Sequence, residues 1–588
     1  MPVIKIREKI EEVNSPVTGQ SNAVVVPLFI NSQRIVDGKF TEGGTSCELY
    51  STVSEFKSGL GSMVIKEVAY TNYGSANQKV MSETILDKSY YIIEELLRAG
   101  SKVYVYPIDL VDDDVVNLII NENDGLLTEI LISGDRETLG AILSYATGKD
   151  LVGNQNYVVV VDTILDDKTE TRAVQWVPAD TTYSPKDYLL SLDGGANKNN
   201  ILFTKYRGAE DIVYSEIIRI LAENGYFNKL KDKMAYNFKF LTTGAHANAY
   251  YVRYYDEDDG NLEKLKIDGA YKYLLPLCVA LEDDATLKSG RGDCLFTLDF
   301  SSDLTKTPKT YELEDPDEGI YSVVTKDIYT AMCDISLADI SLASSPEMAE
   351  AYGKFGFCTY PWVKKNISSG TAELPGSFAY LMAFMASTIT KGNEDFAAIA
   401  GYRRGAVSDG NDLVPVEDLG DIDCHVFQSD SFSEFDYGSG DNKKYFNITI
   451  NPIIKYQDGT YRIKGNRVVS KPPIGIDGIN PDADNVRDCT YFLNVRHIIF
   501  DIKKECYMAS DREQFEPNDD VTWTNFLNWV NPLLNEMVNN RGLDWYSWKR
   551  LDTNGVKGLI KAQVTVKPIE AVESFDITVF VKNTDEEE

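Results

Sequence analysis

Ser89-Tyr90-Tyr91-Ile92-Ile93-Glu94-Glu95-Leu96-Leu97-Arg98-Ala99-Gly100, followed by Lys102-Val103-Tyr104-Val105-Tyr106-Pro107-Ile108, is the stretch on which the fold class turns. Ile92, Ile93, Leu96 and Leu97 recur at helical spacing and form one apolar stripe. Gly100 stands where a helix over Ser89 to Ala99 needs its C-terminal stop. The run after the glycine reads as the strand to which the chain returns. Upstream, Val24-Val25-Val26-Pro27-Leu28-Phe29-Ile30 reads as a buried strand. Downstream, a helix over Glu137 to Thr147 precedes Tyr157-Val158-Val159-Val160-Val161, a continuous apolar run suited to a parallel sheet. This succession of helix and strand predicts an α/β layer.

The remaining segments are less regular. Residues from about 163 to 210 are polar and turn-rich, and are expected to form a loop or surface insertion. Tyr250 to Tyr255 and Leu262 to Ile267 flank the acidic turn Asp256 to Gly260. A clearer hairpin joins Ile453–Tyr456 to Tyr461–Lys464 through Gln457-Asp458-Gly459-Thr460, where Asp-Gly supplies the positive φ of a tight turn. Tyr491 to Ile502 reads as a buried strand. Thr522 to Asn540 reads as an amphipathic helix with Trp523, Phe526, Leu527, Val530, Leu533, Leu534 and Met537 on one stripe, and Gly542 beyond its end. Pro532 removes a backbone donor there and predicts a kink.

Composition narrows the function. An apolar content of 43% supports ordinary cores rather than general disorder. The 588 residues carry 58 Lys+Arg against 91 Asp+Glu, a net charge of −33 that repels phosphate backbones and argues against nucleic-acid binding. No apolar run reaches the length of about 18 residues that a membrane span requires, so membrane insertion is not expected. The start, Met1 to Glu8, lacks a signal-peptide apolar run. The eight scattered cysteines read as free thiols of a reducing cytoplasm.

A search for chemistry finds no catalytic, cofactor or metal site. Gly44-Thr45-Ser46 is similar to the nucleophile turn of subtilisin-like proteases, but His246, His425 and His497 all follow Ser46, against the chain order of that triad. Asp423-Cys424-His425 has no second Cys or His at zinc-site spacing. Arg291-Gly292-Asp293 matches an adhesion tripeptide that a cytoplasmic chain has no use for. The turns Asp256 to Gly260 and Asp409 to Asp412 fail the calcium-loop pattern. Phosphate-loop and dinucleotide glycine fingerprints are both missing.

Read in order, the segments resemble the tail sheath protein of contractile-tailed bacteriophages. Val53-Ser54-Glu55-Phe56 with Leu60-Gly61, Tyr360-Pro361-Trp362-Val363, and Leu374-Pro375-Gly376-Ser377 before an Ala-rich stretch are similar to the family's elements. So are Tyr461 to Arg467, Val495-Arg496-His497, and Phe515-Glu516-Pro517-Asn518-Asp519 with Thr522-Trp523. Lys464, His497 and Gly376 stand where the family usually has Trp, Arg and a second Pro.

The resemblance implies an α/β (α+β multidomain) chain, non-enzymatic and without cofactors, with a subtilisin-like core, inserted outer domains and extended strand arms at both termini. It implies an arm at 1–22, an α/β part at 23–110 and a variable region at 111–350. A middle core at 351–480, a tube-proximal C-terminal domain at 481–570 and a linker strand with acidic tail at 571–588 complete the division. Six copies would form each ring, with rings stacked helically around a tail tube protein and bounded by baseplate and tail terminator proteins. Contraction would drive the tube through a bacterial envelope. Assembly would take place in the host bacterial cytoplasm, with the mature protein in the virion. A bacterial contractile injection system is the alternative of the same class. A degenerate hydrolase or virion surface-binding module is the alternative of another class.

The terminal segments carry the same expectation physically. Phe575, Ile577, Val579 and Val581 share one strand face, with Asp576, Thr578 and Lys582 on the other. Val3, Ile4 and Ile6 offer a second short strand. Both are expected to add to a neighbouring subunit's sheet, with Tyr491 to Ile502 and its surroundings as acceptor. Lys549, Arg550, Lys557 and Lys561 form a basic concentration suited to an acidic tube or neighbour surface.

Overall fold

The computed structural model describes side chains over 22–30, 47–60, 87–109, 214–246, 270–280, 290–299, 352–366, 371–407, 413–416, 450–470, 489–553 and 558–569, apart from single positions. It adds the backbone of helix Ala209–Glu223 and of several strands between these segments. Val3, Ile4, Ile6, Ser46, His425, Lys557, Phe575, Ile577, Val579 and Val581 lie outside the described residues. So do the Glu137 to Thr147 helix and the Asp256 to Gly260 and Asp409 to Asp412 turns.

Six strands build the central sheet: β1 (Val24–Ile30), β2 (Glu48–Tyr50), β3 (Val103–Asp109), β4 (Phe240–Leu241), β5 (Leu295–Thr297) and β6 (Gly356–Phe357). Their spatial order is β6-β5-β4-β1-β3-β2. β1 runs parallel to β3 from Val24 opposite Val103 to Ile30 opposite Asp109, and parallel to β4 on its other side. Only β2, at one edge, is antiparallel. Every residue of β1 and β3 is buried, as the apolar composition of both runs requires of a sheet covered on two faces.

Helix α1 (Ser89–Arg98) covers this sheet with Ile92, Ile93, Leu96 and Leu97 buried, and Gly100 takes φ 85° just beyond it. Asp87 organises the start of α1. Its carboxylate accepts hydrogen bonds from the amides of Ser89 and Phe29 and pairs with His246 Nε2 at 2.6 Å.

Helix α2 (Gly376–Met385), buried at all ten residues, follows the Tyr360-Pro361-Trp362 turn and ends in a single π turn. A Cβ on Gly376 would lie 2.0 Å from the Thr359 carbonyl oxygen, which accounts for glycine where the resembled family has proline. The Asp-Gly hairpin forms as expected between Asn451–Lys455 and Tyr461–Ile463, with Gly459 at φ 81°. The Tyr251–Tyr254 and Lys264–Ile267 strands pair antiparallel, also as expected.

Three expectations need correction. Tyr491 to Ile502 is not a strand: after a short 3-10 turn the chain forms helix α3 (Leu493–Arg512). Leu493 to Ile498 are all buried, so burial on every side erases the helical period, while Val, Ile and Phe imitate a strand. Tyr157–Ile164 is a strand but pairs antiparallel with Glu170–Val177, at the edge of a separate four-stranded sheet. That partner strand lies within the stretch expected to be loop. Alternating residues such as Thr171, Ala173 and Gln175 gave it no continuous apolar run.

One buried charge cluster joins the sheet to α3. Lys239, at the start of β4 and without solvent exposure, binds Asp395 at 2.7 Å and Asp501 of α3 at 3.0 Å. One turn further along α3, Lys504 Nζ donates to the Phe238 carbonyl at 2.6 Å. Burial and the Asp395 carboxylate push Asp501 up to about 7. Burial pulls Lys504 down to about 8. Burial alone would lower Lys239, but Asp395 and Asp501 hold it above its usual value and charged. Removing the shared ammonium strands two buried carboxylates, and such one-sided deletions cost about 3–5 kcal/mol. Lys239→Met is therefore expected to lose roughly that much stability in urea unfolding; wild-type stability in this variant would refute the clamp.

Candidate assembly surface

Several of the described titratable groups are buried and held by partners inside the fold. His497 lies among Phe240, Phe384 and Tyr380, with the Tyr380 hydroxyl 3.3 Å away. Burial, and after it the Lys239, Lys504 and Arg496 cations, hold its pKa well below the usual value. His246, also buried, is engaged by Asp87. Burial disfavours the Asp87 carboxylate, yet His246 and the Phe29 and Ser89 amides hold it below its ordinary range. Asp299 accepts from the Ser377 amide and hydroxyl at the start of α2, and burial pushes it up to about 6. The adhesion-like Arg291 and Asp293 are buried, paired at 2.9 Å, and Arg291 also donates to the Leu230 carbonyl. Among the described residues no group of three or more His, Cys, Asp or Glu forms a metal cluster. No helix there is long and apolar enough to cross a membrane.

Among the described residues, exposed apolar side chains concentrate in the C-terminal unit. Helix α4 (Asp520–Asn539) begins at Asp519, whose side chain accepts from the Val521 and Thr522 amides, and continues through Pro532. Val530, Leu533, Leu534 and Met537 pack with Ile498, Ile502 and Ala509 of α3 in a second core. Strands β7 (Leu543–Leu551) and β8 (Lys561–Pro568) follow as an antiparallel pair, with Trp548 opposite Val564 and Tyr546 opposite Val566. These four side chains pack on the second core, while Trp523 and Phe526 of α4 stack together and meet Trp548 edge-on. Tyr546 and Trp548 donate to Asn535 and Asn531 of α4.

The sequence motif residues are distributed around this unit. Arg496 is buried with its guanidinium over the Phe355 and Phe500 rings, fastening α3 to the sheet region. Phe515, Glu516, Pro517 and Asn518 form the exposed α3–α4 loop, and Trp523 is half-buried. The basic concentration divides. Arg550 turns towards α4 and binds Asp520 at 2.9 Å and Asn518 at 3.3 Å. Lys549 and Lys561 lie on the opposite, exposed face of the strand pair. Among the described residues, Tyr507, Phe515, Val521, Trp529, Trp545, Leu559 and Ile569 place most of the exposed large hydrophobics in this unit. Sequence reasoning missed Lys239, Asp395, Asp501 and Lys504; a lysine inside Phe238-Lys239-Phe240-Leu241 was the available signal.

No protein-family model matches the chain, and no curated protein matches it. Solved structures similar to it are sheath proteins of contractile machines. The anti-feeding prophage helical sheath in its contracted state is 11% identical with TM-score 0.38, over 99% of each chain. The sheath tail protein of Desulfitobacterium hafniense is 9% identical with TM-score 0.33, over 96% of this chain and 100% of that one. A contracted sheath of an extracellular contractile injection system is 17% identical with TM-score 0.28, and the match spans 41% of this chain and 60% of that one.

His497 gives a pH test. An unfolded histidine takes up a proton below about 6.5. The native one does not, so its contribution to stability is lost as pH falls through that value. His497→Phe removes this titration together with the pH-independent contact to the Tyr380 hydroxyl. The wild-type stability minus that of the variant is expected to fall by up to about 1.4 kcal/mol per pH unit below about 6.5. A difference that stays constant from pH 7 to pH 5 would contradict a buried neutral His497.

Proposed function

We propose that this chain is a non-enzymatic structural subunit of a contractile sheath, in a phage tail or a related bacterial injection machine. The observation that carries the reading is the β7–β8 pair. It packs by one face on the α3–α4 unit, and among the described residues each strand has a partner on one side only. A two-stranded sheet with exposed edges accepts further strands through backbone hydrogen bonds. The apolar faces of Phe575, Ile577, Val579 and Val581, and of Val3, Ile4 and Ile6, supply such strands from neighbouring copies. This replaces Tyr491 to Ile502 as acceptor, because those residues lie almost entirely in α3.

The ordered sequence motifs and the net charge of −33 agree with a homopolymer that ignores nucleic acid. The proposal extends to six-membered rings stacked around a tube protein, with baseplate and terminator proteins at the ends. It includes a subtilisin-like origin for the mostly parallel core and the six-part division of the chain. Strand links would persist while the cores reorient, allowing contraction without separation of subunits. Purified full-length protein is expected to sediment as large assemblies, and deletion of 572–588 to leave it soluble and monodisperse. Unimpaired assembly after that deletion would remove the strand-exchange reading.

A further inference from the structure

We propose that the α3–α4 loop of one copy docks on the outer face of the β7–β8 pair of a second copy, with Phe515 as its apolar anchor. The inference rests on the assembly reading above and names a contact beyond strand exchange. Phe515 is 96% exposed and sits at φ 73°, a left-handed conformation that disfavours a residue with a Cβ. Folding the chain gains nothing from a phenyl ring there, where glycine would fit without strain. Glu516 extends beside it into solvent, and Glu513, which accepts from the Trp529 indole at 3.2 Å, borders the loop.

The complementary surface is on the same chain but faces the other way. Residues alternate across β7 and β8, so Tyr546, Trp548, Val564 and Val566 face α4. Trp545, Lys549 and Lys561 therefore point outward. Lys549 pairs in register with Gln563, two residues from Lys561, so the two ammonium groups are diagonal neighbours. No carboxylate among the described residues lies within ion-pair distance of either. Trp545, 45% exposed, supplies an aromatic face at the other end of the strip.

An acidic loop carrying one exposed phenyl ring thus matches a basic strip carrying one exposed indole. The loop lies on the α4 side of the strand pair, where Arg550 holds Asp520, so it does not reach the outer face of its own sheet. The match is satisfied only between copies. Two different patches in contact make a head-to-tail interface, which closes into rings or propagates as a helix.

The test measures the critical concentration for assembly by sedimentation, with circular dichroism melts as a fold control. Phe515→Gly is expected to keep the melting temperature. Lys549→Glu combined with Lys561→Glu, and separately Glu513→Lys combined with Glu516→Lys, are each expected to raise the critical concentration about tenfold or more. All four changes in one chain restore complementarity and are expected to recover most of that loss. Wild-type assembly should also weaken between low and high salt. Assembly unchanged in both reversed variants and in Phe515→Gly overturns the docking inference alone. Loss confined to the lysine variant also overturns it, since it assigns the strip to another occupant such as the acidic tail Asp585 to Glu588. A wild-type chain that stays monomeric overturns the assembly reading and this contact with it.

Discussion

A single ammonium group, that of Lys239, ties the central sheet to α3 and to the segment after α2. Its strand belongs to the central sheet, Asp395 follows the α2 and π-turn segment, and Asp501 belongs to α3. Two carboxylates around one buried cation cannot all be satisfied unless the three elements arrive together. Lys504 and His497 extend the contact by a turn in each direction along the same helix face. This geometry fixes α3, α3 supports α4 through the second core, and α4 supports β7 and β8. The orientation of the presented strand pair therefore traces back to a charge cluster in the interior.

That chain of support gives the proposed function a physical form. A subunit that is linked to neighbours by exchanged strands, yet has to change its tilt, needs a stiff body and peripheral links. A buried cation between two carboxylates ties the position of each element to the others, since losing one partner strands a buried charge, and this suits a body that has to move as one piece. Backbone strand addition supplies links through main-chain hydrogen bonds rather than through the docked bodies. Charged contacts of the Lys549 and Lys561 type are weak singly. Repeated over a lattice, they bias one arrangement of bodies over another and respond to salt.

Much of the frame was legible in the residues. The β1 and β3 runs and α1 between them were readable because each had one clear period and one clear stop. The Asp-Gly hairpin and the α4 helix were readable for the same reason, local chemistry matching tertiary need. α3 was misread because its first turns are buried on all sides and carry no polar face to mark the period. The strand at Glu170–Val177 was missed because its residues carry no continuous apolar signal. The charge clamp was hidden for a different reason: Lys239 and Asp501 are 262 residues apart, and spacing in sequence says nothing about such a pair. Only the strand register separates Arg550, turned to α4, from Lys549 and Lys561, turned outward.

As a sheath subunit, this chain would build a hollow sleeve from copies of itself. Negative-stain electron microscopy of the purified full-length protein tests it most directly. Hollow tubes or stacks of rings with a central channel are expected. A uniform field of isolated single subunits, at concentrations well above those of a natural assembly, would contradict it.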